Sequence, residues 1–140
     1  MLALDTAIRA ALLADATFTA LATNGAYKNA EPPSTQPPFL VWQVVQEPPV
    51  YAFGSTAYVE CLYQVRGVGA KAATRQASEV AELLRDRAVA VLTTRGALAP
   101  VGYRVIRAWL QSNLRVYPQV VGGVEWIHAP AYVVFQVQPT

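Results

Sequence analysis

The sequence predicts an α+β fold, in which a mainly antiparallel sheet of four to five strands is packed by a long central helix and a short N-terminal helix. Two strand-like runs, Phe39 to Gln46 and Thr56 to Arg66, precede an amphipathic helix at Ala70 to Leu92. Two further strand-like runs follow this helix, and that order favours an α+β arrangement. The 140 residues fit a single domain, 1–140, with a core of its own.

The N-terminal stretch predicts a short helix because its apolar residues recur at helical spacing. These residues are Ile8, Ala11 and Leu12. Asp5 or Thr6 can cap this helix, and Asp15 can end it or cap the next turn. Asn24-Gly25 offers the positive φ angles that terminate helices, and the prolines within Lys28 to Pro38 predict an extended connection.

The first two strands differ in how their faces are covered. Phe39 to Gln46 is rich in β-branched and aromatic residues, which predicts a strand with both faces largely covered. Thr56 to Arg66 alternates cleanly, so one face packs inward and the other is amphipathic. The connection from Glu47 to Ser55 is too long for a two-residue hairpin and predicts a projecting loop. We expect Gly67 to Gly69 to break the second strand.

The central helix carries a narrow apolar stripe that permits close approach to a sheet. The stripe consists of Ala73, Ala77, Val80, Ala81, Leu84, Ala88 and Val91. The opposite face is charged and is predicted to be solvated. A strand from Val101 to Val116 follows, with turn signals at Pro118 and Gly122-Gly123. The last strand-like run, Val124 to Val137, is expected to be interrupted at Pro130.

No constellation of residues in this chain is typical of a chemical site. With one Cys and one His, the chain offers no multi-ligand Cys/His metal site and no internal disulfide. Cys61 lies mid-strand among apolar residues, which favours a buried inert thiol over a nucleophile by roughly nine to one. For His128 a structural role is favoured by roughly five to one, because no carboxylate or hydroxyl is placed to orient it. We therefore predict no enzymatic activity, no catalytic or metal site and no cofactor.

Aromatic and arginine residues near turns are the remaining functional candidates. Tyr51, Phe53 and Tyr117 lie in turn-rich segments, with about even odds between local packing and a partner contact. Arg95 and Arg115 lie near turns and could supply rim contacts, because Tyr and Arg are enriched in interfaces. We predict these five residues as interface residues.

The composition favours a partner protein over a membrane or a nucleic acid. Hydrophobic residues make up 54% of the chain and charged residues only 14%, against a usual charged share of about 25%. So little charge predicts that a partner covers part of the apolar surface. No apolar run approaches the roughly 18 to 20 residues of a membrane span, so we expect a soluble protein. The charge of +2 is small, which disfavours sequence-specific nucleic-acid binding.

A family resemblance rests on residue type and order along nearly the whole chain. Its parts are the opening stretch Asp5 to Asp15, Tyr27 before the proline-rich gap, Pro38 to Val45, Tyr58 to Val65 and the Ala-rich helix. In these the chain resembles the tail-terminator, or tail-completion, family of long-tailed, siphovirus-like bacteriophages and related gene-transfer particles. The resemblance implies a hexameric ring that caps the head-proximal end of the tail tube, stops its growth and presents a docking surface for the head.

The resemblance also implies partners and a location. The partners would be further copies of the chain, the major tail tube protein and head–tail connector proteins, while genome DNA passes through the ring. The location would be the virion tail at the head–tail junction, after assembly in the host cytoplasm. We expect the loops Glu47 to Ser55 and Tyr117 to Gly123 to contact neighbouring subunits or the tube.

Two alternative functions stay open. A head-closure or connector-completion protein of the phage neck would share this size and composition but would dock to the portal side. A small-ligand-binding α+β domain would need a concave pocket with convergent polar groups, and the sequence nominates none.

Overall fold

A computed structural model describes residues 1–47 and 58–140 of the chain, and the structural statements below concern those residues. Its helices are Leu2–Ala14 (α1), Ala16–Leu21 (α2) and Ala77–Thr93 (α3). Its strands are Ala26–Lys28 (β1), Phe39–Gln46 (β2), Val59–Gly69 (β3), Tyr103–Asn113 (β4), Tyr117–Val121 (β5) and Val124–Pro139 (β6). No helix among the described residues is long and apolar enough to cross a membrane.

The strands form one sheet in the order β1-β2-β3-β6-β4, and β5 also pairs with β6. All pairs are antiparallel except the parallel pair of β1 and β2. The predicted α+β class with a mainly antiparallel sheet is confirmed. The sheet has six strands where four to five were predicted. The short strand β1 was not predicted, and two strands, β4 and β5, pair with β6 where one was expected.

β6 runs without a break through Pro130, contrary to the expected interruption. The carbonyl of Pro130 accepts a hydrogen bond from the Leu114 N–H at 2.9 Å. The nitrogen and oxygen of a strand residue point to the same side, so the missing N–H of Pro130 faces the short gap between β4 and β5. The proline is tolerated because that position requires no ladder hydrogen bond from it.

The glycines that were expected to end β3 instead continue it beneath α3. A Cβ at Gly67 would lie 2.3 Å from the carbonyl oxygen of Ala81, and a Cβ at Gly69 would lie 2.5 Å from that of Ala77. Only glycine lets the helix backbone approach the strand this closely. The helix begins at Ala77 and not at Ala70, so the Ala-rich segment before it is not helical.

The main core lies between all three helices and one face of the sheet. Its large fully buried members include Leu4, Ile8, Leu12, Phe18, Trp42, Tyr63, Leu84 and Phe135. α1 begins at Leu2, ahead of the predicted cap, so Asp5 lies buried in its first turn. Arg85 was predicted on the solvated face of α3 but is buried, with Nε donating to the Asp86 carboxylate at 3.0 Å. The other face of the sheet carries no helix among the described residues.

Candidate assembly surfaces

The sheet face opposite the helices carries polar side chains that hydrogen-bond across the strands. The pairs are Gln43–Gln64 at 3.2 Å, Glu60–Gln136 at 2.8 Å and Arg104–Gln138 at 3.0 Å. Leu62, Trp109 and Tyr132 are half-buried between them. The guanidinium carbon of Arg107 lies 4.7 Å from the centroid of the Trp109 ring. Trp, Tyr and Arg are enriched in surfaces that contact another protein, so this face is a candidate contact surface.

The C-terminal hairpin continues past the end of β3 as an arm, which we define as residues 117–128. β3 pairs with β6 only as far as Ile127, whereas β5 and β6 remain paired to Val121 and Val124. The turn residues Gly122 and Gly123 have φ angles of 57° and 80°, which a two-residue type I′ turn requires. The sequence predicted this turn.

The root of the arm is fixed by aromatic packing, whereas its tip is exposed. Trp126 is buried and meets the ring of Phe39 edge-on, with ring centroids 5.9 Å apart. Phe39 in turn meets Tyr27 at 6.3 Å. At the tip, Val120 is 71% exposed and Val124 is 53% exposed. The arm therefore presents apolar side chains from a rigid base.

His128 lies buried in the arm and helps to hold β5 on β6. The ring of Tyr117 stacks on it, with centroids 4.8 Å apart and planes 3° from parallel. Nε2 of His128 donates to Oε1 of Gln119 at 2.7 Å. Burial lowers the pKa of His128 to about 4, and the nearby positive charge of Arg66 adds to this. The imidazole is therefore neutral at pH 7, in keeping with a structural role.

A groove of about 230 Å³ lies between the C-terminal end of α3 and β4, and we name it the α3–β4 groove. Leu92 and Leu98 are buried along it, and Ile106 on β4 is 48% exposed. Arg95 and Arg107 line it, although the guanidinium of Arg107 lies over Trp109 on the other face of the sheet. Among the described residues, no Asp or Glu lines the groove. Because β4 is the last strand in the sheet order, this groove opens at an edge of the sheet.

The arm and the groove lie at opposite ends of the sheet. Val105, on the wall of the groove, pairs with Val137 near the end of β6, whereas the arm tip adjoins its beginning at Val124. Val59 also pairs with Val137, so β3 starts at the groove end. The segment Tyr117 to Gly123, predicted as a contact loop, is the strand β5 with its turn at the arm end. Of the other predicted contact loop, Glu47 to Ser55, only Glu47 lies within the described residues.

The structure separates the predicted interface residues. Arg95 is exposed and lines the groove, whereas Arg115 is exposed in the gap between β4 and β5. Arg115 lies eight positions beyond Arg107 of the groove wall, a separation of roughly 25 Å at the spacing of an extended chain. Tyr117 is 41% exposed although its ring stacks in the arm. Tyr51 and Phe53 lie outside the described residues.

Sequence reasoning missed the exposed valines of the arm and the groove as a whole. The groove joins residues from α3, the following turn and β4, and no local pattern signals that junction. Cys61 is fully buried, and burial raises the pKa of its thiol. Within residues 1–47 and 58–140, no group of three or more His, Cys, Asp or Glu side chains could hold a metal ion.

Comparison with known proteins identifies the family. The family model described as tail completion protein gp17 matches residues 6–90, more than half of the chain. A chain of a solved structure described as "Virion of native gene transfer agent (GTA) particle" has a similar fold, with a TM-score of 0.68 and 18% sequence identity. The alignment covers 96% of this chain and 94% of that chain. No match was found among curated proteins. This chain belongs to the family of tail completion protein gp17 and is a structural protein of the phage virion tail.

Proposed function

We propose that this chain forms a closed ring of about six copies that caps the head-proximal end of the tail tube. In this role the ring ends the growth of the tube and offers the surface on which the head docks. The partners are further copies of the chain, the tail tube protein and the head–tail connector. Genome DNA passes through the ring without sequence-specific contacts, and residues 1–140 act as one domain.

The observation that carries the proposal is the presence of unlike exposed features at the two ends of one sheet. One end bears the arm with its apolar tip, and the other bears the α3–β4 groove. A head-to-tail contact joins two different surfaces of the subunit, and the two unlike ends provide such a pair. Such contacts either close into a ring or continue as a filament, and a cap requires the closed form.

The two faces of the sheet support the joining role. One face is covered by helices, and the other presents the amide pairs together with Trp109 and Arg107. All subunits of a cyclic ring point the same way along its axis, so the two sides of the ring differ. A part that joins the tail tube on one side and the connector on the other needs two unlike sides. Arg95, Arg115 and Tyr117 remain our candidates for contact residues, together with Tyr51 and Phe53.

The function is tested by removing the gene for this chain from its phage and restoring it on a plasmid. Without the chain, we expect tails of irregular, extended length and heads without tails, as seen by electron microscopy. The plasmid copy should restore one tail length. Tails of normal length beside unjoined heads would instead identify a head-closure protein, and fully normal particles would contradict both roles.

The ring itself is tested on the purified protein. Light scattering over a concentration series, with negative-stain images of the same fractions, should show closed rings of about six subunits. Double substitution of Tyr51→Ser and Phe53→Ser should leave the monomer folded and block tail capping. Normal capping by this variant would remove both residues from the interface.

A further inference from the structure

We propose that the tip of the arm of one subunit docks into the α3–β4 groove of the next copy of the chain. This contact rests on the proposed ring and specifies how its subunits join. Each subunit would donate one tip and accept another. The arm and β4 both lie outside the segment that the family model matches, residues 6–90, so the match itself does not supply the contact.

The tip and the groove match in their apolar character. Val120 and Val124 at the tip are 71% and 53% exposed. Ile106 on the groove wall is 48% exposed, and Leu98 lies beneath it. Docking would remove apolar side chains of both surfaces from water in one contact.

The charges of the tip and the groove are opposite. Glu125 pairs with Val120 across the arm and is exposed at the tip. Arg95 lines the groove and is exposed, and no Asp or Glu among the described residues lines it. The guanidinium of Arg107 points away from the groove, over the ring of Trp109. Among the described residues, neither Glu125 nor Arg95 takes part in an ion pair. Glu125 of the tip placed against Arg95 of the groove fixes the direction and register of docking, because charge complementarity selects one orientation.

The geometry excludes the tip of the same chain as the occupant of the groove. Val124 and Val137 are thirteen positions apart on β6, which is roughly 40 Å, so a chain's tip cannot reach its own groove. The root of the arm is held by Trp126 against Phe39, which keeps the tip in place before docking. A preorganised element loses little conformational entropy on binding.

The contact is tested by disulfide trapping with cysteines at the tip and in the groove. The double variant Val120→Cys/Ile106→Cys should form a ladder of covalent oligomers under mild oxidation, resolved by non-reducing electrophoresis. A disulfide requires Cα atoms within about 7 Å, so every bond in the ladder must join two chains. The matched control, Val120→Cys/Glu82→Cys, places the second cysteine on the exposed side of α3 and should give no ladder.

Light scattering of the same reduced samples separates failure of the contact from failure of the ring. Oligomers without a ladder in the Ile106 variant would overturn the contact and leave the ring intact. An equal ladder in the Glu82 control would also overturn the contact. A parent protein that is monomeric both in solution and in isolated tails would overturn the ring and the contact together.

A charge exchange tests the pairing of Glu125 with Arg95 independently. Glu125→Arg and Arg95→Glu should each raise, by about tenfold, the protein concentration at which half of the subunits are in oligomers. Each substitution places like charges in contact. The double exchange should return it to within about threefold of the parent. Additive weakening in the double variant would overturn this pairing.

Discussion

The carboxylate of Asp15 accepts two hydrogen bonds from Arg87, from Nε at 2.8 Å and from Nη2 at 2.7 Å. The same carboxylate accepts the N–H of Phe18 at 2.8 Å and so caps α2. One side chain therefore joins the corner between α1 and α2 to α3. The sequence predicted the cap from local pattern, but the partner lies 72 residues away and left no local signal.

This pair predicts a stability difference that depends on pH. The hydrogen bonds from Arg87 and from the Phe18 N–H hold the pKa of Asp15 below its usual 3.8. The stabilisation is therefore complete above pH 4 and is lost as the pH falls through the lowered pKa. Asp15→Asn keeps an oxygen for the cap but removes the charge.

We expect the Asp15→Asn variant to have a lower urea midpoint than the parent at pH 7. The difference between the two midpoints should narrow below pH 4. The matched control is Glu82→Gln on an exposed part of α3, which has no ion pair among the described residues. It should follow the parent at every pH. If the difference in midpoint between Asp15→Asn and the parent stays constant down to pH 2, the charge of Asp15 contributes nothing to stability.

His128 predicts a second, separate pH window. In the unfolded chain the imidazole takes up a proton near pH 6.5, whereas in the folded protein burial lowers the pKa to about 4. Protonation thus favours the unfolded chain, so stability is complete above pH 6.5 and falls progressively between pH 6.5 and 4. His128→Gln removes the titrating group, and its urea midpoint should change little between pH 7 and 5. An equal decline in this variant would assign the pH dependence to other groups.

Because the glycines beneath α3 leave no room for a side chain, we expect even one added methyl group to lower the stability of the fold strongly. Gly67→Ala would place a Cβ 2.3 Å from the backbone of Ala81, so the helix or the strand must shift. We expect a loss of about 3 kcal/mol in the free energy of unfolding. Gly96→Ala is the control, since its Cβ would meet no atom within 4 Å and only its positive φ opposes the change, at about 1 kcal/mol. Equal losses in urea unfolding would contradict the close approach of helix and strand.

The fold was predictable where the signal is local. β2 has the predicted bounds, Phe39–Gln46, because a run of β-branched and aromatic residues indicates a strand wherever it lies. Gly67 and Pro130 misled the prediction because both are local breakers. In the folded chain, Gly67 lies within β3 because the close contact with α3 leaves no room for a Cβ. Pro130 lies within β6 because it faces the gap between β4 and β5, where no N–H is needed. β1 is only three residues long and depends on pairing with β2, so its own residues carry too weak a signal.

The candidate site was predictable only in part, for a related reason. Arg95 was chosen because arginine beside a turn is typical of an interface, and the structure places it in the α3–β4 groove. The groove itself arises where α3 ends beside β4, which is a tertiary relationship. Val120 was assigned to the predicted loop Tyr117 to Gly123, but it lies in the strand β5. Its exposure follows from the pairing of β5 with β6 beyond the end of β3.

The arm predicts that its root and its tip respond differently to substitution. Trp126 is buried against Phe39, so Trp126→Ala should lower the free energy of unfolding by about 3 kcal/mol. Val120 is 71% exposed, so Val120→Ser should change the free energy of unfolding by less than about 0.5 kcal/mol. Urea unfolding of both variants at low protein concentration measures the subunit without its copies. A large loss in Val120→Ser under these conditions would mean that the tip packs within its own chain, and the valine would then be unavailable to a neighbour.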